Sequence, residues 1–202
     1  EGLEVVGQRA IAEAGVQMAR IATRSQEAGL TGLEFALAIP GSIGGAVWAN
    51  AGAHDGEIAA VDLDGDGWDD LVVGGGRQGT LAVFHNDGKG GLVQMKDPFL
   101  SRPLARDLTS VVGLEGTVMA GSSNYEDGQT NGGCIRIYDF RRNMAGDSIQ
   151  GQRQSAGPLV LADFDGDGIL DLVVAVRSAD RVTFFPGHGD GAFGSGTDYG
   201  VG

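Results

Sequence analysis

Apolar residues follow two different patterns along the chain. Between residues 16 and 28 they recur at helical spacing, and Gly29 follows directly, which predicts an amphipathic helix that ends at this glycine. Residues 3–6 and 9–13 lie on either side of Gly7 and predict two short strands. We therefore expect a small α+β segment at the start of the chain.

From residue 59 onward the apolar residues form short runs separated by turns rich in glycine, aspartate and asparagine. Such runs are typical of β-strands, and no long helical pattern interrupts them. The predicted strands are 71–73, 81–84, 117–120, 134–138, 159–162, 172–176 and 182–185. The sequence therefore predicts a mainly β protein.

A nine-residue motif occurs twice, as D-L-D-G-D-G-W-D-D from Asp62 and as D-F-D-G-D-G-I-L-D from Asp163. Glycines at positions 4 and 6 permit the left-handed backbone that lets the aspartates at positions 1, 3, 5 and 9 converge. Carboxylates without a soft ligand favour calcium over zinc. The predicted ligands are the side chains of Asp62, Asp64, Asp66 and Asp70, those of Asp163, Asp165, Asp167 and Asp171, and the carbonyls of Trp68 and Ile169.

The motif has two other interpretations, an EF-hand and an acidic turn without metal. An EF-hand needs glutamate at position 12, where this chain has Val73 and Val174. An acidic turn without metal remains an alternative, although four like charges brought together are costly unless a cation offsets them. We therefore predict two calcium sites, each in a loop that leads into a strand.

The motif belongs to a longer repeat. The two loops start 101 residues apart, at positions 62 and 163, which is about twice a 50-residue period typical of propellers and solenoids. Residues 117–121 resemble the strand after each loop, but the preceding residues 111–116 lack the aspartates. This predicts three blade-like units, the first and third with a metal loop.

Residues 59–202 resemble FG-GAP/VCBS-type repeats of integrin-like β-propellers, through the motif D-x-D-G-D-G-x-x-D-L at both loops. The resemblance implies four-stranded blades around an axis, calcium held in the loops, and extracellular recognition or adhesion to a protein or glycan ligand. Such propellers commonly have more blades than three. We therefore hypothesise a partial β-propeller, or a homo-oligomer in which copies of the chain complete one.

Residues 1–58 resemble a different family, UDP-N-acetylenolpyruvoylglucosamine reductase, a flavoenzyme of peptidoglycan precursor synthesis. The match is carried by G-L-E-F-A-L-A-I-P-G-S-I-G-G-A-V at 32–47 and by N-A-G-A at 50–53. A glycine-rich turn before a helix start can bind phosphate, although a purely structural turn is the alternative. The resemblance implies FAD contacts at Gly41, Ser42, Ile43, Gly44, Gly45 and Asn50.

The reductase resemblance is partial, because the family's other flavin loop and its substrate domain find no counterpart in this sequence. We therefore assign no catalytic residue and expect this segment to be inactive alone. The chain is interpreted as a junction of two families, with domains 1–58 and 59–202. The repeats favour an extracellular or cell-envelope location, and the reductase-like segment favours the cytoplasm.

The composition of the chain limits the classes of partner and site that it can have. With 27 acidic and 14 basic residues the net charge is −13, which argues against nucleic acid as a partner. No apolar stretch reaches the roughly 18 residues of a membrane span. The single cysteine, Cys134, excludes an intrachain disulfide and is expected in the core. His85 and His188 fall in turns that we interpret as equivalent, with structural roles.

Overall fold

The structure, a computed structural model, describes residues 2–7, 9–30, 33–49, 51, 57–89, 91–104, 106–124, 134–149, 154–176 and 180–201. It is mainly β, as predicted. Three four-stranded antiparallel sheets follow one another along the chain, and in each sheet the strands are paired in chain order. Sheet I consists of β3 (Glu57–Val61), β4 (Asp70–Gly74), β5 (Ala82–Asn86) and β6 (Leu92–Gln94). Sheet II consists of β7 (Leu108–Leu114), β8 (Thr117–Ser122), β9 (Ile135–Asp139) and β10 (Met144–Ser148). Sheet III consists of β11 (Ala156–Ala162), β12 (Asp171–Val176), β13 (Arg181–Phe185) and β14 (Thr197–Gly200).

Each of the seven predicted strands lies in a strand of these sheets. The pattern missed the outer strands β6 and β14, because every residue in them is exposed and no buried face marks them. The pattern also missed β3, β10 and β7, and residues 111–114 of β7 were aligned with a degenerate metal loop. In sheet II a tight turn at Glu115 and Gly116 replaces the nine-residue loop, so the predicted loss of the aspartates is confirmed.

The sheets pack face to face in chain order. Alternate residues of a strand point to opposite faces, so each sheet can bury both. Val72 and Val83 of sheet I pack with Val118 of sheet II in one core. Met119 and Leu172 belong to the second core, between sheets II and III. The first strands of the three sheets, β3, β7 and β11, are neighbours, so the sheets share one inner edge.

The first part of the chain covers the far face of sheet I. It contains the hairpin of β1 (Leu3–Val6) and β2 (Arg9–Ala12), helix α1 (Met18–Glu27), a 3₁₀ helix (Glu34–Ala38) and helix α2 (Ile43–Trp48). Met18, Phe35 and Ala46 form a core with Ile58, and Leu71 of sheet I packs against it. The predicted helix is confirmed, with Gly29 in the left-handed region (φ 75°) just after it. The predicted domain boundary after residue 58 lies inside β3.

The far face of sheet III is uncovered by the residues that the structure describes. Val160, Val173 and Phe184 lie side by side on this face, because Val173 pairs with Val160 in β11 and with Phe184 in β13. The residues 101 positions earlier in sheet I are Ala59, Val72 and Val83, which are buried against sheet II. Val160 is 49% exposed, whereas Ala59 is 0% exposed. Sheet III thus has an exposed apolar surface where sheet I has an interface.

Two smaller expectations are also resolved. Cys134 is buried in the core between sheets II and III, as predicted. Among the residues described, no helix has the length and apolar character needed to cross a membrane.

The contact between sheets I and II can be tested at Gly113 in β7. A Cβ added there would overlap the side chain of Val61 in β3, so Gly113→Ala should lower the free energy of unfolding by about 1–3 kcal/mol. Gly200→Ala in β14 is the matched control, since a Cβ there meets nothing within 4 Å. Urea denaturation measures both variants. Equal stabilities for the two variants would contradict this packing.

Candidate metal centres

The two aspartate loops, which connect β3 to β4 and β11 to β12, fold in the same way. In the first loop, Asp62 accepts N–H groups from Gly65 at 2.7 Å and from Gly67 at 3.0 Å. Both glycines have left-handed backbone, at φ 80° and 89°, as the motif predicts. The second loop repeats both bonds at 2.7 and 3.0 Å, from Gly166 and Gly168 to Asp163.

Backbone groups of the loop also hold the carboxylates at positions 3 and 5. Asp64 accepts the N–H of Asp66 at 3.2 Å, and Asp66 accepts that of Trp68 at 2.9 Å. The corresponding bonds of the second loop are 3.1 Å, from Asp167 to Asp165, and 2.8 Å, from Ile169 to Asp167. Both loops therefore hold these side chains by their own peptide groups.

The aspartate at position 9 is buried in both loops. Asp70 is 1% exposed and Asp171 is 0% exposed. The Oδ2 atom of Asp70 accepts the N–H of Leu63 at 3.2 Å, and its Oδ1 atom accepts the N–H of Asn86 at 2.9 Å. Asp171 makes the same two contacts, with Phe164 at 2.8 Å and Gly187 at 2.9 Å. This carboxylate therefore joins the start of the loop to the hairpin that follows it.

Most of the predicted ligand side chains converge. Three groups have donor atoms that all lie within 4.8 Å of one another: Asp62, Asp64 and Asp66; Asp64, Asp70 and His85; and Asp163, Asp165 and Asp171. Asp167 is not in a convergent group among the described residues, and its Oδ1 atom accepts the N–H of Ile169. The carbonyls of Trp68 and Ile169 remain predicted ligands.

The second loop shows how crowded its charges are. Loss of solvation, together with the like charges of Asp167, Asp171 and Asp163, raises the pKa of Asp165 above its ordinary value. In contrast, the N–H of Gly187, and then that of Phe164, lower the pKa of Asp171. The surroundings of Asp171 thus favour its ionised form, whereas those of Asp165 disfavour its ionised form.

His85 is a site residue that the sequence interpretation missed. Its Nδ1 atom lies 3.1 Å from Oδ2 of Asp64 and 3.2 Å from Oδ1 of Asp70. The equivalence of His85 with His188 was wrong. The loops are 101 residues apart, so Pro186 is the counterpart of His85. The spacing of 15 residues from Asp70 to His85, paired with the register of β4 and β5, is the signal that could have located it.

An open cleft of about 740 Å³ lies beside the first loop, between sheets I and II. Phe99 and Phe140, whose rings meet edge to face at 5.3 Å between centroids, are among the residues that line it. Carboxylates of the loop and the side chain of Arg141 line its rim. The N–H of Gly116, in the turn of sheet II, donates to the Asp62 carbonyl at 3.1 Å, which connects the loop to the cleft wall.

The predicted flavin segment starts helix α2 at Ile43, as expected, with Ser42 as its N-cap. Its N–H groups nevertheless have acceptors within the chain. Ile43 donates to the carbonyl of Val16 and Gly44 to that of Ala14, both at 2.8 Å, while Gly45 donates to Oγ of Ser42 at 3.3 Å. These three groups therefore do not fit the predicted phosphate cradle. Asn50 lies outside the described residues.

Comparisons with known proteins identify two kinds of relative. Residues 62–113, which run from the first loop through β4, β5 and β6 into β7, match the FG-GAP-like repeat family. Another segment is 54% identical over 61 residues to UDP-N-acetylenolpyruvoylglucosamine reductase of Pediococcus pentosaceus, covering 30% of this chain and 20% of that protein. The enzyme of the same name from Caldicellulosiruptor bescii is 49% identical over 61 residues, which are 30% of this chain and 19% of the relative. The chain thus spans about a fifth of the length of these relatives. No solved structure matches it.

The buried aspartates can be tested without metal. Asp70→Asn and Asp171→Asn should each lower the free energy of unfolding in chelator by about 1–3 kcal/mol, because an amide cannot accept both backbone N–H groups. Asp69→Asn is the matched control, since Asp69 is exposed in the same loop. Urea denaturation at neutral pH measures the three variants. If all three have the same stability, these carboxylates do not hold the loops.

Proposed function

We propose that residues 59–202 form a calcium-binding β-repeat module for recognition, adhesion or structural support, with one ion in each aspartate loop. The observation that carries this proposal is the duplicated loop. Six hydrogen bonds that position its carboxylates recur in the second loop, each between the residues 101 positions later. A structural turn does not need the same four acids twice.

The donor set supports a hard cation. Convergent carboxylate oxygens with backbone carbonyls available nearby suit calcium, which takes six to eight oxygen ligands. Loss of solvation and the like charges of neighbouring aspartates raise the pKa of Asp165, and a divalent cation would relieve the repulsion among these charges. Asp70 and Asp171 would act from the buried side of each loop, and the exposed acids would close over the ion from the solvent side.

The stacked sheets support a partial β-propeller in which each sheet is a blade. Adjacent first strands and face-to-face packing are what a propeller requires, and three blades leave both end faces to be covered. The reductase-like segment covers the end at sheet I. We propose that a further blade-type sheet packs on the exposed face of sheet III, because the equivalent face of sheet I receives sheet II.

A second copy of the chain could supply that sheet in a head-to-tail ring or in a symmetric dimer. A head-to-tail ring would need the far face of sheet I, which the first part of the chain occupies. A symmetric dimer would instead bring together the exposed faces of two copies of sheet III. This is the form of homo-oligomer that the structure favours.

The cleft beside the first loop is the proposed recognition surface. The proposed ion site and the aromatic residues Phe99 and Phe140 line the same cleft, so a protein or glycan ligand with a carboxylate or hydroxyl group could contact both. This use of the cleft favours an extracellular or cell-envelope location, as the resemblance to adhesion repeats does.

Calcium should stabilise the module. At a free calcium concentration about a hundred times the dissociation constant, each site adds about 2.7 kcal/mol, so two sites should raise Tm by about 10–20 °C relative to chelator. A double variant, Asp64→Asn with Asp165→Asn, should lose this response, while Asp69→Asn should keep it. Differential scanning calorimetry measures all three proteins. Identical melting in calcium and chelator would refute the proposal.

A second candidate function is that of a fragment of a FAD-dependent UDP-N-acetylenolpyruvoylglucosamine reductase. It is supported by the identity of about half over some 60 residues to enzymes of that name. Three of the predicted cofactor-binding N–H groups already have acceptors, which weighs against it. We propose that this segment acts here as a cover for sheet I.

Native mass spectrometry with calcium and FAD distinguishes these states. We expect two calcium ions and no FAD per chain. A retained FAD, with a yellow preparation, would support the reductase fragment instead.

Native mass spectrometry also tests the symmetric dimer. A dimer that Val160→Asp abolishes and Val6→Asp preserves would confirm association through sheet III, since both valines are exposed but Val6 lies in β1. A folded monomer would exclude that association.

A further inference from the structure

We propose that the two loops differ in the metal they prefer: the first binds a first-row transition cation, with His85 as a ligand, in preference to calcium, while the second prefers hard cations such as calcium. This inference rests on the proposed function, because it assumes that both loops are ion sites. The one difference in donor chemistry around the position-9 aspartates carries it.

The hydrogen bonds that hold the position-9 aspartates are the same in the two loops. Asn86 and Gly187 donate their N–H groups to Oδ1 of Asp70 and of Asp171, each at 2.9 Å. The residue before each of these donors is therefore at an equivalent place beside the carboxylate. In the first loop it is His85, and in the second it is Pro186, which has no side-chain donor atom.

The position of the imidazole suits a shared ion. Nδ1 of His85 lies 3.1 Å from Asp64 and 3.2 Å from Asp70, and the three donor atoms form one convergent group. Ligands bound at about 2.0–2.1 Å in a tetrahedral site are separated by about 3.3 Å. Oδ1 of Asp70 retains a lone pair after accepting the N–H of Asn86. A hydrogen bond between the imidazole and a carboxylate would have a similar length, so the experiment must distinguish such a bond from shared metal ligation.

The donor chemistry predicts the selectivity. An imidazole nitrogen with carboxylates binds zinc, cobalt or nickel more strongly than calcium, which prefers oxygen alone. The second loop places only carboxylates in its convergent group, so it lacks this advantage among the described residues. In a solution that contains both kinds of ion, one chain would then hold two different ions.

Trp68 makes the first loop separately observable. The chain has two tryptophans, Trp48 and Trp68, and only Trp68 lies in a loop. In a Trp48→Phe background, terbium luminescence sensitised by Trp68 should report occupancy of the first loop. Cobalt added to this protein should displace terbium, and its visible absorption should show one nitrogen-containing site per chain.

The variants form a reciprocal set. His85→Ala should weaken cobalt binding at the first loop about 10–100-fold and leave terbium and calcium binding within about twofold. Pro186→His should create a second cobalt site. His188→Ala is the matched histidine control, and it should behave as the parent protein does. Circular dichroism confirms that each variant is folded.

The outcomes separate this inference from the calcium proposal. Terbium and calcium binding with a cobalt affinity unchanged by His85→Ala would overturn the inference and leave the calcium sites intact. Cobalt binding that depends on His85, without terbium or calcium binding, would support the inference's mixed site and overturn the calcium proposal. Absence of binding by all three ions would overturn both.

Discussion

Two buried carboxylates determine how the aspartate loops are built. Asp70 and Asp171 are removed from solvent at the first residue of a strand, a position that is costly unless hydrogen bonds replace the lost water. Each accepts one backbone N–H from its own loop and one from the next hairpin. Loop, strand and hairpin are therefore fixed relative to one another by each of these two carboxylates.

The two aspartate loops also account for much of the negative charge of the chain. Eight of the 27 acidic residues are the predicted ligand side chains of the two loops, and without them the net charge of −13 would be −5. Much of the acidity is thus local to the loops and need not indicate a basic partner. The two ends of the stack of sheets differ. The reductase-like segment covers the far face of sheet I, whereas the far face of sheet III is exposed among the described residues.

The sequence predicted the parts of the fold that have a local pattern. The loops were found because the motif recurs, and the central strands because they carry buried apolar residues between glycine-rich turns. The outer strands β6 and β14 have no buried face, so alternation could not reveal them. His85 lies 15 residues from Asp70 and meets it only through the pairing of β4 with β5. The occupied N–H groups of Ile43 and Gly44 likewise depend on tertiary contacts with Val16 and Ala14, which no motif records.

The central claim is that both loops are ion sites of a single repeat design. Calorimetric titration of calcium into metal-free protein tests it most directly, with Asp62→Ala and Asp163→Ala as variants that each disable one loop. The account predicts two calcium ions per chain in the parent protein, one in each single variant and none in the double variant. Calcium binding that persists in the double variant, or is absent from the parent protein, would contradict it.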